Sequence, residues 1–125
     1  MKRTNLLCKI IPFFLLLISC NNAETENNKK MIIGNWSVSE WLIEGKASDR
    51  VNTNPAFSFD DKGNYHFDYA ANKEEGTYKI ENDMLYTTAA KKLEIMVKIA
   101  KITKDSLVLD MNNNGQAEEM TLLRK

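Results

Sequence analysis

The amino-acid sequence predicts an all-β fold, an eight-stranded antiparallel up-and-down β-barrel. From Met31 onward, the chain consists of short runs in which apolar and polar residues alternate, as expected for strands with one buried face. Turn-forming residues separate these runs, and only the first connection is long. Neighbouring strands should therefore pair as antiparallel hairpins, and eight of them are enough to close a small barrel without exposed sheet edges.

The first four predicted strands carry aromatic or aliphatic residues at alternate positions. They span residues 34–43, 56–59, 64–70 and 76–80. The polar stretch 44–55 is the longest predicted loop, residues 60–63 form a hairpin turn, and residues 71–75 form a polar loop. Because side chains in a strand alternate between faces, one set should point inward. That set is Trp36, Val38, Phe57, Phe59, Tyr65, Phe67, Tyr69, Tyr78 and Ile80.

The last four predicted strands span residues 84–89, 93–103, 106–111 and 117–124. The longest of them is 93–103, and a helix is the alternative there, because the segment holds or follows good helix formers, namely Lys91, Lys92, Glu94 and Lys98. Its apolar residues recur at every second position from Leu93 to Ile99 and are mostly β-branched, which favours a strand. Ile102 is out of phase with the others, which predicts a β-bulge near Ala100. Gly115 provides the positive φ for the last hairpin turn.

The N-terminus has the pattern of a secretory signal. A basic start at Lys2 and Arg3 precedes an apolar run over residues 10–18, which is shorter than the roughly 20 residues that a spanning helix needs. The segment Leu17-Ile18-Ser19-Cys20 resembles the lipobox of bacterial lipoproteins. The resemblance implies that residues 1–19 are a lipoprotein signal peptide and that lipid on Cys20 anchors the chain to a membrane. The expected location is the cell envelope, at the outer membrane, facing either the periplasm or the surface.

The segment after Cys20 is polar throughout. Residues 20–30 can bury little apolar area, so a disordered tether is expected there, followed by one domain over residues 31–125. Cys20 is the last cysteine, which excludes disulfides from the domain. The chain has 17 basic and 17 acidic residues, and the signal removes three lysines or arginines and no acid. The remaining 14 bases against 17 acids give a net charge of −3, which argues against nucleic acid as a partner.

Candidate metal and catalytic residues have simpler explanations. His66 is the single histidine and has only Asp68 beside it, whereas a stable zinc site needs three or four ligands. Residues 110–116 match the first half of a calcium loop, but Thr121 stands where the loop requires an acid, and a hairpin turn explains the same residues. No catalytic or phosphate-binding motif is present. We therefore expect no metal, no cofactor and no enzymatic activity.

The inward-facing aromatic residues have two interpretations. They could line an apolar ligand pocket in which tyrosine hydroxyls are the polar anchors, or they could simply fill the core of a small barrel. Trp41 is out of phase with Trp36, so we place it at the barrel mouth beside residues 44–55. The candidate ligand-binding residues are Trp41, Phe57, Phe59, Tyr65, Phe67, Tyr69 and Tyr78.

Several short motifs together resemble the lipocalins, and more closely the small lipocalin-like lipoproteins of bacteria. They are Gly34-x-Trp36 at the first strand, 57–59 with 61–65, Gly76-Thr77-Tyr78, and 99–109. In that family the tryptophan closes the barrel floor against a basic residue near the chain end, here Arg124. The resemblance implies a membrane-anchored lipocalin-like barrel that binds a small hydrophobic or amphipathic ligand. The alternative is a filled barrel that contacts an envelope or host protein, for example as an inhibitor.

Overall fold

The computed structural model describes residues 19–125, so the predicted signal peptide, residues 1–19, lies almost wholly outside the described residues. One α-helix precedes a long run of strands, and a short 3-10 helix spans Asp49–Thr53. The elements are α1 (Ser19–Ile32), β1 (Gly34–Ile43), β2 (Lys46–Ala47), β3 (Ala56–Phe59), β4 (Asn64–Tyr69), β5 (Asn72–Glu81), β6 (Met84–Ala89), β7 (Ile95–Ile102), β8 (Ser106–Asn113) and β9 (Gln116–Arg124).

The strands form one closed antiparallel barrel. From β3 to β9 each strand pairs with the next along the chain, and β1 pairs with both β3 and β9. The two-residue β2 only folds back onto the end of β1. The predicted eight-stranded up-and-down barrel is therefore confirmed, with β1 and β3–β9 as its eight strands.

Two connections differ from the predicted ones. Residues 72–75 belong to β5, because the chain turns at Ala70, which has a φ of 55°, and Asn72 then pairs with Tyr69. Residues 44–55 are not one open loop, because they hold β2 and the 3-10 helix, which Ser48 caps by accepting from the Arg50 amide.

Two β-bulges decide which side chains face inward. The predicted bulge near Ala100 is confirmed, because the β7–β8 register shifts between Ile99 and Lys101. A second bulge lies in β1, where the pairing with β9 shifts between Val38 and Glu40. This extra residue turns Trp41 inward, so that its side chain is buried although its spacing from Trp36 is odd.

The start of β7 also corrects the sequence prediction. Leu93 was expected in phase with the inward residues of a strand, but β7 begins only at Ile95 and Leu93 is 89% exposed. Ile95 and Met96 are also more than half exposed. The β6–β7 connection and the first residues of β7 therefore present apolar side chains to solvent at one end of the barrel.

The disordered tether predicted for residues 20–30 is wrong, because these residues belong to α1. Asn82, in the β5–β6 turn, holds the helix: its amide donates to Thr25 Oγ1 and its carbonyl accepts from Asn28, both at 2.8 Å. Ile32, at the end of α1, is fully buried in the core. The polar composition of residues 20–30 suggested disorder. It could not reveal the residues that stabilise this helix, because they lie more than fifty positions away in the sequence.

The end of α1 is fixed to the barrel floor by Trp36 and Arg124. The indole Nε1 of Trp36 donates to the Ile32 carbonyl, and the Arg124 guanidinium donates to the carbonyls of Met31 and Ile33. Arg124 also lies over the Trp36 ring, with Cζ 4.1 Å from the centroid. Gly34 has a φ of 134°, which favours glycine, and a side chain there would displace this guanidinium. The structure thus places Gly34, Trp36 and Arg124 together at one end of the barrel.

An acidic cluster on the outer surface of the barrel gives a pH-dependent prediction. Glu119 lies opposite Asp110 on neighbouring strands, and partial burial with repulsion from Asp110 and Glu40 raises the pKa of Glu119 above its ordinary 4.5. The folded state thus binds this proton more tightly, and ionisation of Glu119 lowers stability as pH rises. Glu119→Gln should therefore stabilise the fold near neutral pH by about 0.5 kcal/mol or less. Urea denaturation of Glu119→Gln and of the parent protein measures the difference. Below the carboxyl pKa, where Glu119 is protonated, the two proteins should have the same free energy of unfolding. If Glu119→Gln were less stable than the parent at neutral pH, this assignment would be wrong.

Candidate functional site

The two ends of the barrel differ. We call the end closed by Ile32, Trp36 and Arg124 the floor. The opposite end, surrounded by the connections 44–55, 70–71, 90–94 and 114–115, is the mouth. Large side chains such as Trp36, Phe59 and Leu107 fill the floor half and are essentially inaccessible to solvent.

The mouth half contains a cavity of about 430 Å³. Inward-facing side chains from most of the barrel strands line it, and the turn 112–114 and the 3-10 helix border it. This volume lies within the range of small-molecule sites, which are typically apolar with few polar groups. The apolar lining comprises Trp41, Phe57, Phe67, Leu85, Ile95, Val97, Leu109, Met111 and Met120, and the polar lining includes Arg50, Tyr65, Glu74, Thr87 and Glu118.

One polar cluster in the cavity is built around the buried carboxylate of Glu118. Its Oε1 accepts from Trp41 Nε1 at 2.8 Å and from Arg50 Nη1 at 3.0 Å. The Glu118 side chain is 2% exposed, whereas that of Arg50 is 37% exposed at the edge of the cavity. The Arg50 guanidinium also lies over the Trp41 ring, 5.1 Å from its centroid. Burial of this charge is therefore compensated by a partner from the mouth.

A second polar cluster faces the first from β4 and β5. The Tyr65 hydroxyl donates to Glu74 Oε1 at 2.7 Å, and Lys92 lies 3.4 Å from Glu74 Oε2. Burial and the neighbouring Glu74 carboxylate raise the pKa of Tyr65 well above its ordinary value. Tyr65 thus remains a neutral hydrogen-bond donor throughout the physiological pH range.

The seven aromatic residues predicted to bind a ligand divide into three groups. Trp41, Phe57, Tyr65 and Phe67 line the cavity, and the rings of Phe57 and Phe67 stack at 4.2 Å. Phe59 packs edge-on against Tyr78, and the Tyr78 hydroxyl donates to the Asp60 carbonyl in a turn at the floor end. Tyr69 lies at the rim, 5.5 Å from the Trp41 ring. Some of this set therefore line a cavity and others fill the core, at opposite ends of the barrel.

The sequence analysis missed the charged residues of the cavity. Glu118 was detectable in principle, because it shares the inward phase of Met120 and Leu122 in β9. Glu74 shares the phase of Tyr78 and Ile80, but its segment was taken for a loop. Arg50 carried no periodic signal, because it enters the site from a 3-10 helix outside the barrel.

A second cleft of about 490 Å³ lies outside the cavity, between the β4–β5 hairpin and the β6–β7 connection. It shares Phe67 and Glu74 with the cavity but is otherwise lined largely by exposed side chains, including Lys73, Glu75 and Lys92. Because the cleft is polar and solvated, we take the cavity as the candidate ligand site.

Of the two metal candidates, His66 lies apart from the cavity, whereas the partial calcium motif borders it. His66 is on the outer face of β4, where Nδ1 is 3.3 Å from Glu75 Oε1. Within residues 19–125, no group of three or more metal-ligating side chains is assembled. In the partial calcium motif, Asn112 Oδ1 accepts from the Gly115 amide, which makes this segment a hairpin turn between β8 and β9.

The fold and the site define the class of protein: a small antiparallel barrel with a floor closed by tryptophan and arginine and a cavity at the other end. Residues 32–109 match the lipocalin-like domain family, and the chain belongs to this family. It is also similar to the crystal structure of an uncharacterized protein from Bacteroides eggerthii DSM 20697, with a TM-score of 0.58 and 17% identity. That similarity covers 75% of this chain and 99% of the other and concerns the fold alone. No curated protein matches the sequence.

Proposed function

We propose that this protein is a lipid-anchored lipocalin-like barrel that binds a small hydrophobic or amphipathic ligand in the mouth cavity. The observation that carries the proposal is the cavity itself, about 430 Å³ with a mainly apolar lining. A barrel that served only as a scaffold could be filled along its whole length, as the floor half is. The proposal assigns binding and no chemical step.

Native mass spectrometry tests the ligand site. The chain from residue 21 onward keeps every core and cavity contact described above, so it can be purified without lipid. We expect the protein from its own host, or after incubation with decanol, to carry a bound small molecule. Met111→Trp places a large ring among the cavity walls and should weaken binding at least about tenfold.

The matched control for the cavity variant is Leu123→Trp, on the outer surface, where the leucine is 48% exposed. It should bind as the parent does. A parent protein that stays free of ligand in both preparations would contradict the ligand-binding proposal.

The anchoring part of the proposal rests on the lipobox-like segment before Cys20. Among residues 19–125, no helix is long and apolar enough to cross a membrane. Cys20 lies eight residues before Asn28, which is about 12 Å along a helix. Since α1 packs at the floor, lipid on Cys20 would hold the floor near the membrane and direct the mouth away from it.

Replacement of Cys20 by alanine tests the anchor. In cells supplied with labelled fatty acid, we expect Cys20→Ala to lose the label completely and to remain unprocessed. Cys8→Ala removes the other cysteine, within the predicted signal, and should label normally. Equal labelling of the Cys20→Ala protein would disprove lipid attachment at this residue.

A partner protein is the second candidate, and one observation favours it. Leu93, Ile95 and Met96 expose large apolar side chains beside the mouth, and such patches often contact partners. A photo-crosslinking residue at position 96 should then capture an envelope or host protein that the same residue at position 123 does not. Equal products at both positions would contradict a specific contact.

A further inference from the structure

We propose that the ligand of the mouth cavity is electrically neutral and that its polar end carries both a hydrogen-bond donor and an acceptor, as a hydroxyl or a primary amide does. This inference rests on the proposed function and specifies the chemistry of the same site. It follows from the charge balance of the cavity and from the hydrogen-bonding capacity that its polar residues retain.

The first step is the charge balance around Glu118. Its carboxylate is the most deeply buried charge of the cavity, and the Arg50 guanidinium 3.0 Å away has the opposite charge. The pair has no net charge. A ligand that brought a carboxylate or an ammonium group would therefore leave one charge uncompensated in a mainly apolar environment, which is costly.

The opposite wall leads to the same conclusion. Glu74 accepts from the Tyr65 hydroxyl and lies within 3.4 Å of Lys92. Lys92 is largely exposed and Glu74 is partly exposed, so solvent and the lysine together compensate this carboxylate. Neither wall offers an unpaired charge that would attract a charged ligand.

The third step is the hydrogen-bonding capacity that is left over. Both bonds to Glu118 end on Oε1, and no donor among residues 19–125 reaches Oε2, although this side chain lines the cavity. Arg50 uses only Nη1 within the same range, so its other N–H groups can still donate. A hydroxyl or amide placed between Arg50 and Glu118 would donate to the carboxylate and accept from the guanidinium.

A series of decyl compounds tests the inference, because their tails are identical and their polar ends differ. The probes are decanol, decanamide, decanoate and decylamine, titrated near neutral pH into the chain from residue 21 onward. Trp41, which lines the cavity, supplies the fluorescence signal. We expect decanol and decanamide to bind at least about tenfold more tightly than either charged compound.

Substitution of the ion pair should change this preference. Glu118→Gln keeps an acceptor for Trp41 but leaves Arg50 unpaired, so decanoate should gain at least about tenfold in affinity relative to decanol. Glu75→Gln is the matched control, because it makes the same change at a carboxylate outside the cavity, where the Glu75 side chain is 74% exposed, so it should keep the preference for neutral compounds. Thermal melting of each variant checks that it folds, and the ranking in the parent protein decides the question even if Glu118→Gln does not fold.

The outcomes separate the inference from the proposed function. Binding of all four compounds with decanoate or decylamine equal to or tighter than decanol would leave the ligand site in place and overturn the neutral class. Binding of none of them would remove the cavity as a site for such amphiphiles, and the inference with it. An unchanged ranking in Glu118→Gln would show that the pair does not control selectivity and would overturn the inference.

Discussion

Replacing Trp36 with alanine should lower the free energy of unfolding by about 3–5 kcal/mol, the usual cost of removing a large buried aromatic side chain. The Trp36 ring is fully buried, and its Nε1 donates to the Ile32 carbonyl at the end of α1. The ring also supports the Arg124 guanidinium that binds the carbonyls on either side of Ile32. Urea denaturation followed by circular dichroism measures the change.

Leu123→Ala is the matched control for Trp36→Ala, because Leu123 lies in the neighbouring strand and is 48% exposed. It should change the free energy of unfolding by about 0.5 kcal/mol or less. Trp36→Phe separates the ring from its N–H group, and the missing bond to Ile32 should account for about 1 kcal/mol of the total. If Trp36→Ala unfolded at the same urea concentration as the parent, the floor described here would be wrong.

Gly76→Ala is expected to destabilise the barrel by about 1–3 kcal/mol, the range for forcing an extra methyl group into a packed region. Gly76 lies in β5, opposite Ala89 of β6. An added Cβ would collide with the carbonyl of Thr88 and would come within 2.7 Å of the Ala89 Cα. Both are backbone atoms, so β6 itself would have to move. The glycine thus permits a close approach of two strands.

The neighbouring Thr77 is the control position for this substitution. Its side chain is exposed on the outer face, so Thr77→Ala should shift stability by about 0.5 kcal/mol or less. The urea midpoints of the two variants and of the parent, compared at equal slope, give the result. A Gly76→Ala protein as stable as Thr77→Ala would mean that β5 and β6 are not in such close contact.

Alternation of side chains was sufficient to predict the barrel. Tyr65 and Phe67 face inward as their spacing requires, and β6 has the predicted bounds, 84–89. The prediction of Leu93 as an inward strand residue was wrong, because period-two spacing continues past the point where pairing stops. Alternation describes which face a residue would take, whereas hydrogen bonding to a neighbour decides whether a strand exists at all.

Helix α1 was not predictable from its own composition. Its stability depends on Asn82 and Arg124, which are distant in sequence, and its single fully buried side chain among those described is Ile32. The candidate site likewise has a part that local sequence predicts and a part that it does not. The aromatic lining follows from strand periodicity, but Arg50 reaches Glu118 only because the 3-10 helix of residues 49–53 folds over the mouth.

The pairing of β1 with β9 also constrains the order in which the barrel can form. Trp36 and Arg124, partners in the β1–β9 register, lie near opposite ends of the folded domain's sequence. The hairpins from β3 to β8 have local partners and can assemble as the chain emerges, but the ring stays open until the last strand is available. Contacts of such large sequence separation slow folding. Completion of the ring should therefore be a late event, and a chain that ends before residue 116 should form an unclosed sheet with two free edges.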